Sequence, residues 1–322
     1  MAARPAARST PLLAWNPREI LVPLHSRQHA RCAALVIPWL ILIPLVAAFL
    51  YAMAAILLKR ALADGAGRWR VTFVCNMVMA VGCQACWVLR TQPFSRVGAL
   101  HAAMAGCVFF AGQVFTFLAF NRGDVSVVTP LLGTKVIWVA GFSMLLAGTG
   151  LTPHLWVAVF ATAVGAAILG YQPGAHPRHV ALSVAAALAT SCSFGLADVM
   201  VQKYAPAWGF GSFVPVMYLV VGLLTLGLLP LLGEGGWTPG WLGVGSILLA
   251  IQALALAFSL TMYGQATRMN IAYTSRGLWS VTLIWAFGHW FGNTERDGGS
   301  RMMLRRMGGA ALLVVAIIIA SR

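Results

Sequence analysis

Three ionisable residues fall inside long apolar stretches of the chain: Lys135, Asp198 and Arg276. A charge at the centre of a bilayer costs about 2.5–3.5 kcal/mol on insertion scales, so it is kept where it lines a polar cavity or meets an opposite charge. Two cations facing one cavity would hold an anionic substrate, a carboxylate or phosphate, by charge-assisted hydrogen bonds. A lysine at depth can also give up and regain its proton, and Asp198 is the one acid placed to do the same. The rival reading is a salt-bridged packing cluster in which Asp198 cancels a resident cation that never meets substrate.

Neutral polar residues add donors and acceptors within the same stretches. Asn76, Gln113 and Ser280 join the three ions as candidates for a substrate or coupling pathway, with Gln84, Thr116, Gln252 and Tyr263 beside them. Any one of these is more commonly an interhelical hydrogen-bonding group. Pro130 and Gly133 flank Lys135 closely; proline removes a backbone hydrogen bond and glycine loosens a helix, so the pair is a candidate hinge. Pro38, Pro44 and Pro215 are weaker candidates of that kind. "GHWFG" (288–292) fits a close-packing GxxxG face in which His289 is a structural donor. Trp138, Trp279 and Trp285 could stack on an aromatic substrate or simply pack.

The same inventory excludes other chemistry. Glu19, Asp64, Asp124, Glu234, Glu295 and Asp297 all fall in the N-terminal arm, in loops or at segment ends. His101, His154, His176, His179 and His289 are scattered, and there is no HExxH. Nothing assembles a serine–histidine, paired-acid or metal site, so the chain reads as no enzyme and as needing no cofactor. Lys59, Lys135 and Lys203 are the only lysines, and none follows a phosphate-binding glycine pattern. Cys83 and Cys86 form a CxxC, but no second pair stands at metal-ligand spacing, so no metal is expected and the thiols read as packing groups.

The elements that must position these residues follow from composition. Of 322 residues 60% are hydrophobic and only 9% charged, with a mean hydropathy of +0.83, where soluble chains carry roughly 25% charged residues. Run after run is long enough to cross a bilayer, which takes about 20 apolar residues. The net charge of +15 lies mainly in the N-terminal arm and short loops, where membrane proteins use it as an anchor, so nucleic acid is not an expected partner. Residues 1–33 form a basic arm, disordered or adsorbed to headgroups, with no clear cleavage site; an organellar transit peptide is the alternative.

Ten apolar segments follow, at 34–58, 69–89, 97–120, 125–147, 154–171, 179–203, 210–232, 240–266, 271–292 and 303–320. Only helices or closed barrels satisfy the backbone in lipid, and runs of this length mean an all-α integral membrane protein. Trp69, Trp156, Trp208, Trp237 and Trp241 stand near segment ends, where indoles favour the headgroups. Lys135 lies some ten residues into its segment, about 15 Å deep at 1.5 Å per residue. Arg276 lies only about five residues into its own, within reach of the interface, and Asp198 near the end of segment six, where it could pair with Arg276.

An internal repeat organises the segments. "RGDVSVVTPLLGTKV" (122–136) over "RMNIAYTSRGLWSVT" (268–282) sets Arg122 on Arg268, Asp124 on Asn270, Thr129 on Ser275 and Thr134 on Ser280. "VGAAIL" (164–169) likewise matches "GGAALL" (308–313). Both matches relate segments four and five to nine and ten, giving halves of five at 34–171 and 179–322. An odd number per half inverts the second half, and such halves share a midplane site. Lysine and arginine divide evenly between the two sides, so charge bias does not orient the chain.

"FLAFNRGDVSVVTPLLGTKVIWVAGFSMLLAGTGLTPHLWVAVFATAVGAAILG" (117–170), "YGQATRMNIAYTSRGLWSVTLIWAFGHWFGNTE" (263–295) and "LVAAFLYAMAAILLKRAL" (45–62) carry a likeness to a known family. They resemble the drug/metabolite transporter superfamily, in particular its EamA-like members. The family's "GE" after the fourth helix is replaced here by "GTGLTPHLW", while "GNTERDG" keeps Glu295. The resemblance implies an alternating-access exporter or exchanger of a small metabolite, anionic or amphiphilic on the charges above, and leaves the substrate unnamed. It also implies a multi-pass protein of the plasma (inner) membrane, monomeric or homodimeric, whose partners are its substrate and the bilayer. A non-transporting scaffold or receptor, and more remotely an intramembrane enzyme, are the alternatives.

Overall fold

The computed structural model describes residues 27–122, 128, 131–170, 180–233, 239–287 and 299–321. The chain divides into Met1–Val36, helical from Arg27 among its described residues, and Ile37–Arg322. All that follows concerns the second unit. Every regular element among the described residues is helical. In chain order these are α1 (Arg27–Ala63), α2 (Arg68–Gly82), which tightens into a 3-10 segment at Cys83–Leu89, and α3 (Arg96–Arg122). Then come α4 (Lys135–Leu145), α5 (Pro153–Gly170), α6 (Val180–Trp208) and α7 (Phe210–Leu226). The chain ends in α8 (Pro239–Tyr263), α9 (Ala266–Tyr273), α10 (Arg276–Phe287) and α11 (Gly299–Ser321).

Five helices are long and apolar enough to cross a membrane: Trp39–Ala63, Arg68–Leu89, Arg96–Ala119, Ala181–Trp208 and Gly240–Tyr263. Shorter apolar helices cover Lys135–Leu145, Pro153–Leu169, Phe210–Leu226 and Met307–Ser321. The outer surface agrees with lipid as the solvent. Val88 is 89% exposed and Leu145 81%, an apolar face that water would drive to aggregate and that lipid tails match. The protein is an integral membrane protein.

Lipid supplies no hydrophobic drive between helices, so packing depends on close approach at small residues. A methyl on Gly106 of α3 would stand 2.5 Å from the Met217 carbonyl oxygen of α7. On α6, one on Gly195 would meet Trp138 Cβ at 3.0 Å and the Val139 nitrogen at 3.3 Å, so α4 lies directly against that glycine. The crossing of α5 and α11 is reciprocal. A methyl on Gly165 would stand 3.1 Å from the Gly309 carbonyl oxygen, and one on Gly309 3.0 Å from that of Gly165. Gly165 also faces Leu313 and Gly309 faces Leu169, which are the residues paired by "VGAAIL" over "GGAALL".

Several boundaries differ from expectation. Segment four is interrupted at Gly133–Thr134, between helical Leu131–Leu132 and α4. Segment nine starts earlier than its apolar run: after the left-handed turn at Gly264 (φ +62°), the polar "ATRMN" is already helical in α9. Apart from Arg268 its residues are buried among protein groups, so hydropathy underreads it. Trp208 is not at a headgroup surface; it is buried and donates its indole N–H to the Pro93 carbonyl at 3.0 Å. Pro130, Trp237 and the Gly288–Gly292 pair with His289 lie outside the described residues.

Candidate functional site

Two broken helices frame the site. The first break, at Gly133–Thr134, frees the Leu131 carbonyl, which accepts from Thr134 N (3.0 Å), Thr134 Oγ1 (2.6 Å) and Ser191 Oγ of α6 (3.0 Å). At the second, Thr274–Ser275, the ladder tightens to three-residue bonds, from Ser275 N to the Ala272 carbonyl (3.1 Å) and from Gly277 N to the Thr274 carbonyl (3.2 Å). Non-helical backbone at membrane depth is tolerated where protein re-satisfies it in this way. Lys135 is the first residue of α4 and Arg276 the first of α10, so each half-helix opens on a cation. The breaks do not share the register of the sequence match, which sets Thr134 over Ser280 where the residue before the second break is Ser275.

Contact at Gly195 sets the ion pair. Asp198 lies three residues along the same face of α6, and Lys135 three residues before Trp138 on α4. Lys135 Nζ donates to Asp198 Oδ2 at 2.6 Å, with side chains only 13% and 12% exposed. The same oxygen accepts from Asn270 Nδ2 at 2.9 Å. Sequence reasoning left two partners open for Asp198, Arg276 or another resident cation; the structure pairs it with Lys135. Arg276 instead sits over two rings, its Cζ 4.8 Å from the Tyr51 centroid and 5.1 Å from that of Tyr273. Lys135 Nζ lies 5.7 Å from the same Tyr273 centroid, and the Tyr273 hydroxyl donates to Gln252 Oε1 at 2.9 Å.

Counted from Leu145, Trp208 and Ala266, each of the charges stands ten residues from a helix end, about 15 Å along the axis.

The other candidates divide. Asn76 Nδ2 donates to Gln113 Oε1 at 2.6 Å and to Thr225 Oγ1 at 2.9 Å, a separate cluster joining α2, α3 and α7. Ser280 donates to the Arg276 carbonyl of its own helix at 2.8 Å. Gly133 lies at the first break. Cys83 and Cys86 are buried in an apolar cluster with Met79, Phe210 and Tyr218. Tyr51, Tyr273 and Asn270 went unnoticed as site residues: aromatic and amide side chains in apolar runs carry no sequence signal, although Tyr273 and Asn270 stand one and two turns before Arg276.

Residues 37–171, which include Lys135, match the model of the EamA-like transporter family, part of the drug/metabolite transporter superfamily. No curated protein matches the chain. Among solved structures that match, a crystal structure of a protein 16% identical superposes with a TM-score of 0.65, covering 87% of this chain and 96% of its own. At that identity the likeness shows the fold alone.

Proposed function

We propose, starting from a first half that is EamA-like, that this protein is a secondary active transporter carrying a small anionic metabolite by alternating access. The architecture in this reading is ten transmembrane helices in two inverted five-helix halves, 34–171 and 179–322, after a basic arm. The reciprocal Gly165–Gly309 crossing supports it: residue i of one element meeting j of the other, and j meeting i, is the signature of a two-fold relation, here between the fifth helix of each half. The paired breaks, one in the fourth helix of each half, support it as well.

One observation carries the function: Lys135, Asp198 and Arg276, from three separate helices, share one cluster, with Lys135 bonded to Asp198 and both cations over the Tyr273 ring. In this topology Leu145, Trp208 and Ala266 end on the same membrane side, which sets the cluster near the midplane where inverted-repeat transporters bind their cargo. The Lys135–Asp198 pair cancels internally and leaves the charge of Arg276. Gly133 is the hinge in this reading, since a helix already broken there can tilt without losing further backbone bonds.

The test is flux in proteoliposomes. A transporter gives saturable uptake of labelled organic anions that is accelerated by the same anion on the far side. Absence of such exchange across carboxylates and phosphates would overturn the reading.

A further inference from the structure

The start of α10 holds more hydrogen-bond donors than acceptors. Ser275 Oγ is buried and has no hydrogen-bond partner among the described residues, and the same holds for Trp279 Nε1. Buried polar groups are nearly always paired, so two unpaired ones in one turn call for an explanation. They bracket Arg276. Both acids with described side chains are already engaged, Asp64 by Arg60 and Asp198 by Lys135. Arg276 thus meets no carboxylate among the described residues. Besides its two ring contacts it hydrogen-bonds the Tyr273 side chain, and a guanidinium carries five N–H donors, so further donors remain for an oxyanion. The ring of Trp279 packs edge-on to Phe49 at 5.2 Å, two residues from Tyr51, so the indole and the guanidinium lie against the same stretch of α1. The helix N-terminus adds its own preference for negative charge.

We propose that Arg276, Ser275 and Trp279 form the anion seat of this protein, that Tyr51 and Tyr273 wall it, and that its ligand is a monovalent carboxylate. The Lys135–Asp198–Asn270 network is then a closed internal neighbour rather than the substrate contact. The charge decides the valence: with Lys135 and Asp198 cancelled, one negative charge neutralises Arg276, and a second would stand unpaired. An anion recruiting Lys135 would instead have to displace Asp198 and leave a buried carboxylate without its cation, a heavy penalty. The inference rests on the transporter reading for its biological meaning, but binding tests it without transport.

The experiment measures binding of a panel of aliphatic and aromatic monocarboxylates to the purified full-length protein, by calorimetry and thermal shift. Their primary amides, a dicarboxylate and inorganic phosphate serve as comparators. Monocarboxylates should bind and their amides should not. Arg276→Gln should weaken binding by at least about tenfold, the scale of a charge-assisted hydrogen bond, with partial recovery in Arg276→Lys. Ser275→Ala and Trp279→Phe, which keep the cation and the packing, should each weaken it several-fold. The double variant Lys135→Met/Asp198→Asn should weaken it far less than Arg276→Gln. The proposal fails if no monocarboxylate binds, if phosphate or the dicarboxylate binds more tightly, if Ser275→Ala and Trp279→Phe bind as wild type, or if the double variant loses as much as Arg276→Gln. Binding that follows the expected pattern without flux in proteoliposomes would uphold the seat and overturn the transporter.

Discussion

Lys135 and Asp198 stabilise one another only as a pair. Each was taken out of water, and the 2.6 Å contact offsets that loss. Removing one partner strands the other, which costs about 3–5 kcal/mol, while removing both for apolar groups of similar volume is often close to neutral. Lys135→Met and Asp198→Asn should therefore each lower thermal stability sharply, and the double variant should recover most of it; equal losses in all three would contradict an isolated pair. Tyr273→Phe is a milder change. It keeps the ring beside Arg276 but strands Gln252 Oε1, at about 1–3 kcal/mol, readable as a drop in melting temperature. At this scale the sequence identified which residues are charged at depth, because hydropathy makes them conspicuous. It left open which cation Asp198 meets, because pairing depends on which helices touch.

Among elements, the decisive features are crossings and breaks. Gly195 brings the α4 backbone against α6 and so sets the reach from Lys135 to Asp198. Gly195→Val would drive α4 outward by clash with Trp138 Cβ, an overpacking of about 1–3 kcal/mol. It should lower the melting temperature and remove the extra loss seen on mutating Lys135, a coupling that a double-mutant cycle measures. Gly165→Val and Gly309→Val should destabilise to a similar degree and non-additively, since each methyl is aimed at the other glycine's carbonyl. The breaks at Gly133–Thr134 and Thr274–Ser275 were only half legible. Pro130 and Gly133 signal an interruption in the fourth segment, whereas nothing in "NIAYTSRGL" does.

For the molecule as a whole, the ten-helix topology makes a prediction about sides. Arg70 donates to the Gly233 carbonyl at 3.0 Å, tying the first turn of α2 to the stretch after α7. Trp208 donates to the Pro93 carbonyl, tying the end of α6 to the turn before α3. Single cysteines at Gly65 and Gly233, in a background lacking the native cysteines, should react with an impermeant reagent from one side of the membrane. Cysteines at Thr91, Gly148 and Gly264 should react only from the other. A mixed pattern within either set would overturn the inverted five-plus-five arrangement.

Composition and run length by themselves determined a helical protein of the membrane, because lipid admits no other way for continuous apolar chain to satisfy its backbone. The depth of Lys135 and the small-residue match of 164–169 with 308–313 were also readable along the chain, since both are matters of spacing. Tertiary structure alone decided that Asp198 pairs with Lys135, that Arg276 lies over Tyr51 and Tyr273, and that Ser275 Oγ and Trp279 Nε1 lack a hydrogen-bond partner among the described residues. Those facts depend on where helices start, break and cross. Such choices are set by close packing between residues distant in sequence, and local pattern does not encode them.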